Sequence, residues 1–377
     1  MTGMSLLRPQ IFVSSRVFTR IAHGMAVRKQ IDPEPAVAVL PPDIQTVYNQ
    51  PKRPLPKPAI DLLVSKTTVD DWQMMGPCGR IGAYLQLSKH RLTMLVTMTA
   101  MSGALMVPVE LNASTILACA VGTTLMSASA NSLNQYLEIP YDAQMKRTQS
   151  RVLVIHRLSP LDAIIFASGS ALVGGAILYS GCNLLTASLG LLNIFLYSGV
   201  YTPMKRYHVG CTWVGALVGA IPPLMGYAAL TGSLDARALV LAAILFSWQF
   251  PHFNGLSWNL RGDYSRAGYH VMCVKDEGLC RRTTLRHALF LLGFCSIAAP
   301  LSHLTTSTFA LSSLPVNAAF IYLSYKFYKQ PDAKTSRNLF RYSLIYLPLI
   351  MILMAISQYE AVETHSQVPK PIAHTSV

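Results

Sequence analysis

Charge is scarce in this sequence. Asp, Glu, Lys and Arg make up 13% of its 377 residues, where ordinary soluble domains carry roughly a quarter. Acids are the scarcest: 17 Asp and Glu stand against 31 Lys and Arg, a formal net charge of +14. No Walker A or GxGxxG sequence is present, so a nucleotide has no Gly-rich cradle. The seven cysteines are scattered without a CxxC pair or metal-ligand spacing, which argues against a zinc site or a disulfide framework. Cys119 and Cys295 lie inside apolar runs and read as small buried hydrophobes. A soluble protein this basic would suggest nucleic acid, but here the bases sit between apolar runs. The excess therefore describes membrane topology, and no nucleic-acid partner is expected.

What the sequence has in abundance is apolar surface, 51% of its residues being hydrophobic. Residues 1–31 hold Arg8, Arg16, Arg20, Arg28 and Lys29, several Ser and Thr, interspersed apolar residues and no acid. That composition matches a mitochondrial transit peptide; a secretory signal needs a compact apolar core. Residues 32–80 begin with a proline-rich stretch, Pro33 to Pro58, expected to be an extended linker. From residue 92 about nine apolar runs follow, near 92–109, 113–132, 161–180, 183–203, 210–231, 237–254, 286–304, 307–328 and 340–358. Most approach the ~20 residues a helix needs to cross a ~30 Å hydrocarbon core. The expected fold is an all-α polytopic membrane protein in the lipid bilayer, its helices bundled around a central pocket over residues 81–358, with 359–377 as a C-terminal tail that the odd span count puts on the side opposite the basic loops.

The connecting loops sort by charge. Lys89 and Arg91 precede the first run. Lys146, Arg147, Arg151 and Arg157 follow the second, and Lys205 and Arg206 the fourth. Arg261, Arg266, Lys275, Arg281, Arg282 and Arg286 follow the sixth, and Lys326, Lys329, Lys334, Arg337 and Arg341 the eighth. The alternate loops carry almost no base, Arg237 excepted. The basic side is then the matrix side of a mitochondrial inner membrane, or the cytoplasmic side of another.

On that side the rare acids gather. Asn134, Glu138 and Asp142 recur every four residues, which stacks them on one helical face. Pro140 removes a backbone donor and disfavours helix at Ile139, so a kink or helix end is expected there, with Asp142 on a loop beyond it. Glu138 and Asp142 have two readings. They pair with Lys146 and Arg147 as loop ion pairs, or they hold Mg²⁺, which takes one or two carboxylates plus water and phosphate oxygens. Ionisable groups near membrane depth usually mark function, which favours the second. A matching stretch runs from Trp248 to Tyr264 and ends on Asp263, again on the basic side. Carboxylates from two helix ends, ringed by Arg147, Arg151, Lys205, Arg206 and Arg261, suit a divalent cation and a polyanion, with a diphosphate the natural candidate.

Four segments carry a resemblance to a known family: Leu87-Ser-Lys-His-Arg-Leu-Thr93; Asn134-xxx-Glu138-xxx-Asp142 with Met145-Lys-Arg-Thr148; Tyr201-Thr-Pro-Met-Lys-Arg206; and Trp248-Gln-Phe-Pro-His-Phe-Asn254 with Asp263-Tyr264 and Gly268. In this order, over residues 80–358, the sequence resembles the UbiA-type intramembrane prenyltransferase superfamily. The Trp-Gln-Phe-Pro-His-Phe and Tyr-Thr-Pro-x-Lys-Arg segments are similar to its haem-farnesylating branch. His90 stands where that branch usually has proline. Gly262 stands where it often has a polar residue or an acid, which leaves Asp263 as the one assignable carboxylate of the second motif.

The resemblance implies a Mg²⁺-dependent transfer of farnesyl from farnesyl diphosphate to a vinyl group of protohaem IX. Asp142, Asp263 and Glu138 would be catalytic, with Asn134 joining them around the metal. Lys146, Arg147, Arg151, Lys205, Arg206, Arg261, Lys89, Arg91, Asn254 and Tyr201 would bind substrate. Tyr136, Tyr201, Trp248 and Phe250 are aromatic faces available to an allylic cation, or anchors and packing. His252 is an axial ligand to haem iron, a proton acceptor or a satisfied buried histidine; His156 and His270 are weaker candidates. Haem A synthase or other cytochrome oxidase assembly factors would be protein partners. A transporter, an assembly factor and a quinone-ring prenyltransferase are the rival readings. Acids at helix ends on one face favour a one-sided catalytic pocket over a transport path.

Overall fold

A computed structural model describes residues 77–366, with side chains described for residues 79–358. The expected leader at 1–31, the linker up to residue 76 and the last residues of the tail, 367–377, lie outside the described residues. Every described element is helical, as lipid requires: a bilayer offers backbone groups no partner, so each segment satisfies its own. After the short helix α1 (Pro77–Leu87) come α2 (His90–Leu105), α3 (Ala113–Asp142), α4 (Pro160–Gly181), α5 (Leu184–Met204), α6 (Cys211–Thr231) and α7 (Ala236–Asn259). Two short helices follow, α8 (Arg261–Arg266) and α9 (Met272–Lys275). The long helices α10 (Glu277–Leu301), α11 (Ser307–Lys329) and α12 (Ala333–Ser366) complete the chain.

Each expected apolar run is a helix. Seven of them (α3, α4, α5, α6, α7, α10 and α12) are long and apolar enough to cross a membrane. Helix α2 has 16 residues, about 24 Å at 1.5 Å per residue, which is short of the hydrocarbon core. Helix α11 has the length but mixes Ser, Tyr, Asn and Lys with its apolar residues. Helix α12 continues past residue 358 into the expected tail.

The starts are written locally. Asn112, Ser159, Asn183, Asp235 and Asp276 cap α3, α4, α5, α7 and α10 by accepting backbone N–H bonds, and Ser159 with Asp162 forms a capping box. Large leucines such as Leu172 and Leu301 point outward, where lipid receives them. Inside, helices approach through small residues. A methyl added at Gly226 would lie 1.7 Å from the Ala100 carbonyl oxygen, and one at Gly103 2.1 Å from that of Pro223. The α2–α6 crossing therefore admits glycine alone.

Pro140 does not end α3. The helix runs two residues further, and Asp142 is its last residue, fully buried rather than on a loop. Sitting in the last turn, Pro140 breaks a single internal bond, and its own carbonyl is recovered by Gln144 Nε2 at 2.8 Å. In α5, residues Phe195–Tyr201 wind as a π-helix. The wider turn stacks Tyr197 on Tyr201, centroids 5.5 Å apart, facing a cavity of about 650 Å³ enclosed by α2, α3, α5, α6, α7 and α12.

Candidate active site: two carboxylates under an apolar cavity

The basic-side ends of the helices meet beneath the cavity. Lys89, in the turn between α1 and α2, donates to Asn134 Oδ1 at 2.6 Å and to the Tyr197 hydroxyl at 3.4 Å. Asn134 Nδ2 donates to Thr202 Oγ1 at 2.9 Å, and Thr202 returns its hydroxyl to the Tyr197 carbonyl. One turn down α3, Glu138 ion-pairs with Lys205; another turn on, Asp142 ion-pairs with Arg151. The same guanidinium lies 3.5 Å from Glu138, so it bridges the two acids. Lys205 Nζ lies over the Tyr201 ring at 4.5 Å. The cluster thus joins the cavity through Tyr197 and Tyr201, which line its floor. The His270 amide donates to the Lys205 carbonyl at 2.6 Å, tying the segment after α8 to this end.

Charge is finely balanced here. Burial, then Arg151 and Lys205, push the Lys89 ammonium down to about 7 against the pull of Glu138 and Asp142. Burial also opposes the charge on Lys205, but the Glu138 carboxylate with the nearby tyrosines outweighs it and holds that ammonium well above the ordinary lysine value.

The loop after α3 folds back on itself, with Met145, Val152, Leu153 and Leu158 buried. That packing delivers Arg151, nine residues on, to Asp142. Lys146 and Arg147 are exposed instead and hold no ion pair among the described residues. The expected loop pairing of Glu138 and Asp142 with Lys146 and Arg147 is therefore replaced by pairing with Lys205 and Arg151.

Other expected site residues are turned elsewhere. Asp263 on α8 pairs with its own neighbour Arg266. Among the described residues no three His, Cys, Asp or Glu side chains converge as a metal-binding group, so Asp263 does not complete a three-acid cluster with Glu138 and Asp142. The i,i+3 spacing gives it a nearer cation. Asn254 is fully buried against α10, donating to Cys280 O and to Thr283 and Thr284 hydroxyls. Arg261 pairs with Glu277 on the surface, and Arg206 lies on the Tyr141 ring while donating to Ala267 O. Arg91 is exposed, and His156 sits on an exposed turn at φ 56. Phe250 stacks on His287 and Tyr136 packs against the Val152–Leu158 cluster, so neither lines the cavity. Trp248, Tyr201 and His252 do line it.

Reading the sequence passed over Tyr197, Tyr269, Asn131, Asn193 and Gln249. Tyr269 lies 5.5 Å under Lys205, and the other four line the cavity. Polar residues within otherwise apolar runs were the available signal for Asn131, Asn193 and Gln249.

The donor set fits a hard divalent cation. Among the described residues Asp142 Oδ1 is buried without a hydrogen-bond partner, a carboxylate oxygen with capacity to spare. Glu138 and the Asn134 amide, on the same face of α3, add oxygens of the hard type that Mg²⁺ takes alongside phosphate. Those oxygens are held by Lys89, Arg151 and Lys205.

Residues 94–346 match the family model described as the UbiA prenyltransferase family. The chain is 52% identical over 273 residues to the Homo sapiens protein named "Protoheme IX farnesyltransferase, mitochondrial", covering 72% of this chain and 61% of that one. It is 41% identical over 288 residues to the protein of the same name from Yarrowia lipolytica, again covering 72% and 61%. The chain thus spans 61% of the length of these curated relatives. Among solved structures, a digeranylgeranylglyceryl phosphate synthase matches with a TM-score of 0.64 at 14% identity, covering 74% of this chain and 99% of that one. A UbiA homolog from Archaeoglobus fulgidus, bound to DMAPP and Mg²⁺, matches at 0.59 and 11% with the same coverage. At such identities these two speak for the fold.

Proposed function

The chain belongs to the UbiA prenyltransferase family, and on that premise we propose that it transfers farnesyl from farnesyl diphosphate to a vinyl group of protohaem IX, giving haem O. One observation carries the reading. A pair of buried carboxylates with three cations meets, through Tyr197 and Tyr201, the lining of an apolar cavity of about 650 Å³. The polar end suits a diphosphate and the apolar body suits a prenyl chain and a porphyrin face.

Lys89, Arg151 and Lys205 bind the diphosphate oxygens. As the anion arrives, the half-neutral Lys89 takes up a proton, because a neighbouring negative charge favours its charged form. Lys146 and Arg147, exposed at the mouth, attract the anion from water. Asn134, Glu138 and Asp142 would hold Mg²⁺, which when bound neutralises diphosphate charge and eases its departure. The C–O bond breaks with its electron pair going to diphosphate. Tyr197, Tyr201 and Trp248 offer ring faces to the allylic cation and keep water from it. The terminal vinyl carbon of the haem adds to that cation. Water then closes on the remaining positive carbon and loses a proton, leaving a hydroxyethylfarnesyl side chain. His252 faces the porphyrin.

Membranes from cells expressing the chain should accumulate a haem heavier than protohaem by one farnesyl and one hydroxyl group. A prenylated quinone ring and no new haem would move the chain to the quinone branch. Diphosphate release absent altogether would favour transport or assembly.

The same reading places the protein in the mitochondrial inner membrane with its basic loops toward the matrix, because bases alternate between loops. Lys205 is too buried to report on this, but Lys146 and Lys334 are exposed. Both should resist an impermeant amine label applied to mitoplasts and react once the membrane is opened. Labelling of Lys146 from outside would reverse the orientation.

A further inference from the structure

His252 is held by a different helix from its own. Its Nδ1 lies 2.9 Å from the hydroxyl of Ser343 on α12. That hydroxyl has one proton, and it is spoken for: Ser343 Oγ lies 2.6 Å from the Phe340 carbonyl oxygen, to which only the serine can donate. With its proton directed to Phe340, the serine accepts from His252, the arrangement in which Nδ1 carries the hydrogen. In a neutral imidazole the other nitrogen, Nε2, is then a bare lone pair. Nε2 makes no hydrogen bond among the described residues. The His252 ring is half-buried and lines the cavity.

The ring is immobilised as well. The Trp248 indole stacks on it, centroids 4.5 Å apart at 25°, and Phe340 lies against it at 5.1 Å. Trp248 is pinned in turn: its Nε1 donates to the Ser343 backbone carbonyl at 2.9 Å. One residue of α12 thus orients the imidazole through its hydroxyl and the stacking indole through its backbone.

We propose that Ser343 is a positioning residue that fixes His252 as its Nδ1–H tautomer and presents Nε2 to the cavity as an axial ligand for the iron of a metalloporphyrin substrate. The arrangement is that of a metal-bound histidine, whose second nitrogen donates to an orienting partner that sets the tautomer. The ligand assignment rests on the reading that haem is the prenyl acceptor; the tautomer assignment does not.

Two measurements separate them. The first is nitrogen NMR of the full chain labelled with ¹⁵N-histidine in detergent, with the His252 signals identified by their loss in His252→Gln. Wild type should show one tautomer, protonated at Nδ1. Ser343→Ala should show a mixture, because the orienting acceptor is gone while the Ser343 backbone bond to Trp248 remains. Ser343→Thr, which keeps the hydroxyl, should restore the single form. An unchanged tautomer in Ser343→Ala overturns the positioning role, whatever the protein's substrate. The second is optical titration with ferric protoporphyrin and with metal-free protoporphyrin. Wild type should prefer the iron form, with a histidine-ligated spectrum, and Ser343→Ala should lose about tenfold or more of that preference, the usual effect of removing an orienting partner. Equal binding of the two porphyrins by wild type overturns the ligation with haem still an acceptor. Binding of neither overturns the ligation together with the haem reading.

Discussion

Asp142→Asn should lower farnesyl transfer by about a hundredfold or more while the helices stay assembled. Asparagine keeps the shape and an oxygen for Arg151 but removes one negative charge from the buried cluster of Glu138, Asp142, Arg151 and Lys205. The stability cost is limited because Arg151 also lies 3.5 Å from Glu138, so its guanidinium is not left alone; roughly 1.5–3 kcal/mol is the scale of the charge-assisted bond that is weakened. The catalytic cost is larger. Asp142 Oδ1 has no hydrogen-bond partner among the described residues, and if it serves a cation opposite a leaving diphosphate, several kcal/mol of charge stabilisation go with it. Steady-state rates and thermal unfolding in detergent decide the matter. A folded variant working at near-normal rate would reduce Asp142 to a structural ion pair. Asp263→Asn makes the informative comparison, because the sequence motif sets Asp263 beside Asp142 whereas the fold pairs it with Arg266. An equal loss there would bring that carboxylate to the diphosphate; a small one would leave it at the surface.

Lys205→Met is the second large effect. Methionine keeps an unbranched apolar stem and deletes the ammonium that lies over Tyr201 and Tyr269. We expect use of farnesyl diphosphate to fall about ten- to a hundredfold, from losing a charge-assisted bond of roughly 1.5–3 kcal/mol, while porphyrin binding persists. The folded-state pKa of Lys205 is raised. Its contribution to stability is therefore fully present below the ordinary lysine pKa and is lost only as pH climbs through the higher folded value. At neutral pH the variant should accordingly be less stable than wild type, because Glu138 is left with Arg151 alone. Diphosphate dependence unchanged from wild type would confine Lys205 to holding Glu138.

Much of this molecule is legible along the chain, and the physical reason is that it is local. A run of apolar residues long enough for the bilayer must be helical, since nothing else satisfies its backbone there, and Asn112, Ser159, Asn183 and Asp235 mark the starts by capping amides two or three residues away. The four-residue interval alone places Asn134, Glu138 and Asp142 on one face. The π-helix at Phe195–Tyr201 had no such mark, and neither did the continuation of α3 through Pro140.

What tertiary structure alone decided is which way each helix is turned. In a soluble protein the apolar stripe points inward and reveals the rotation. In lipid the outward face is as apolar as the core, so sequence leaves the rotation open. That freedom sent Asn254 to α10 and Phe250 to His287, and brought Tyr197 to the cavity floor. It also decided the partners of the acids. Lys205 reaches Glu138 across 67 residues and Ser343 reaches His252 across 91, because packed helices set those distances and chain spacing does not.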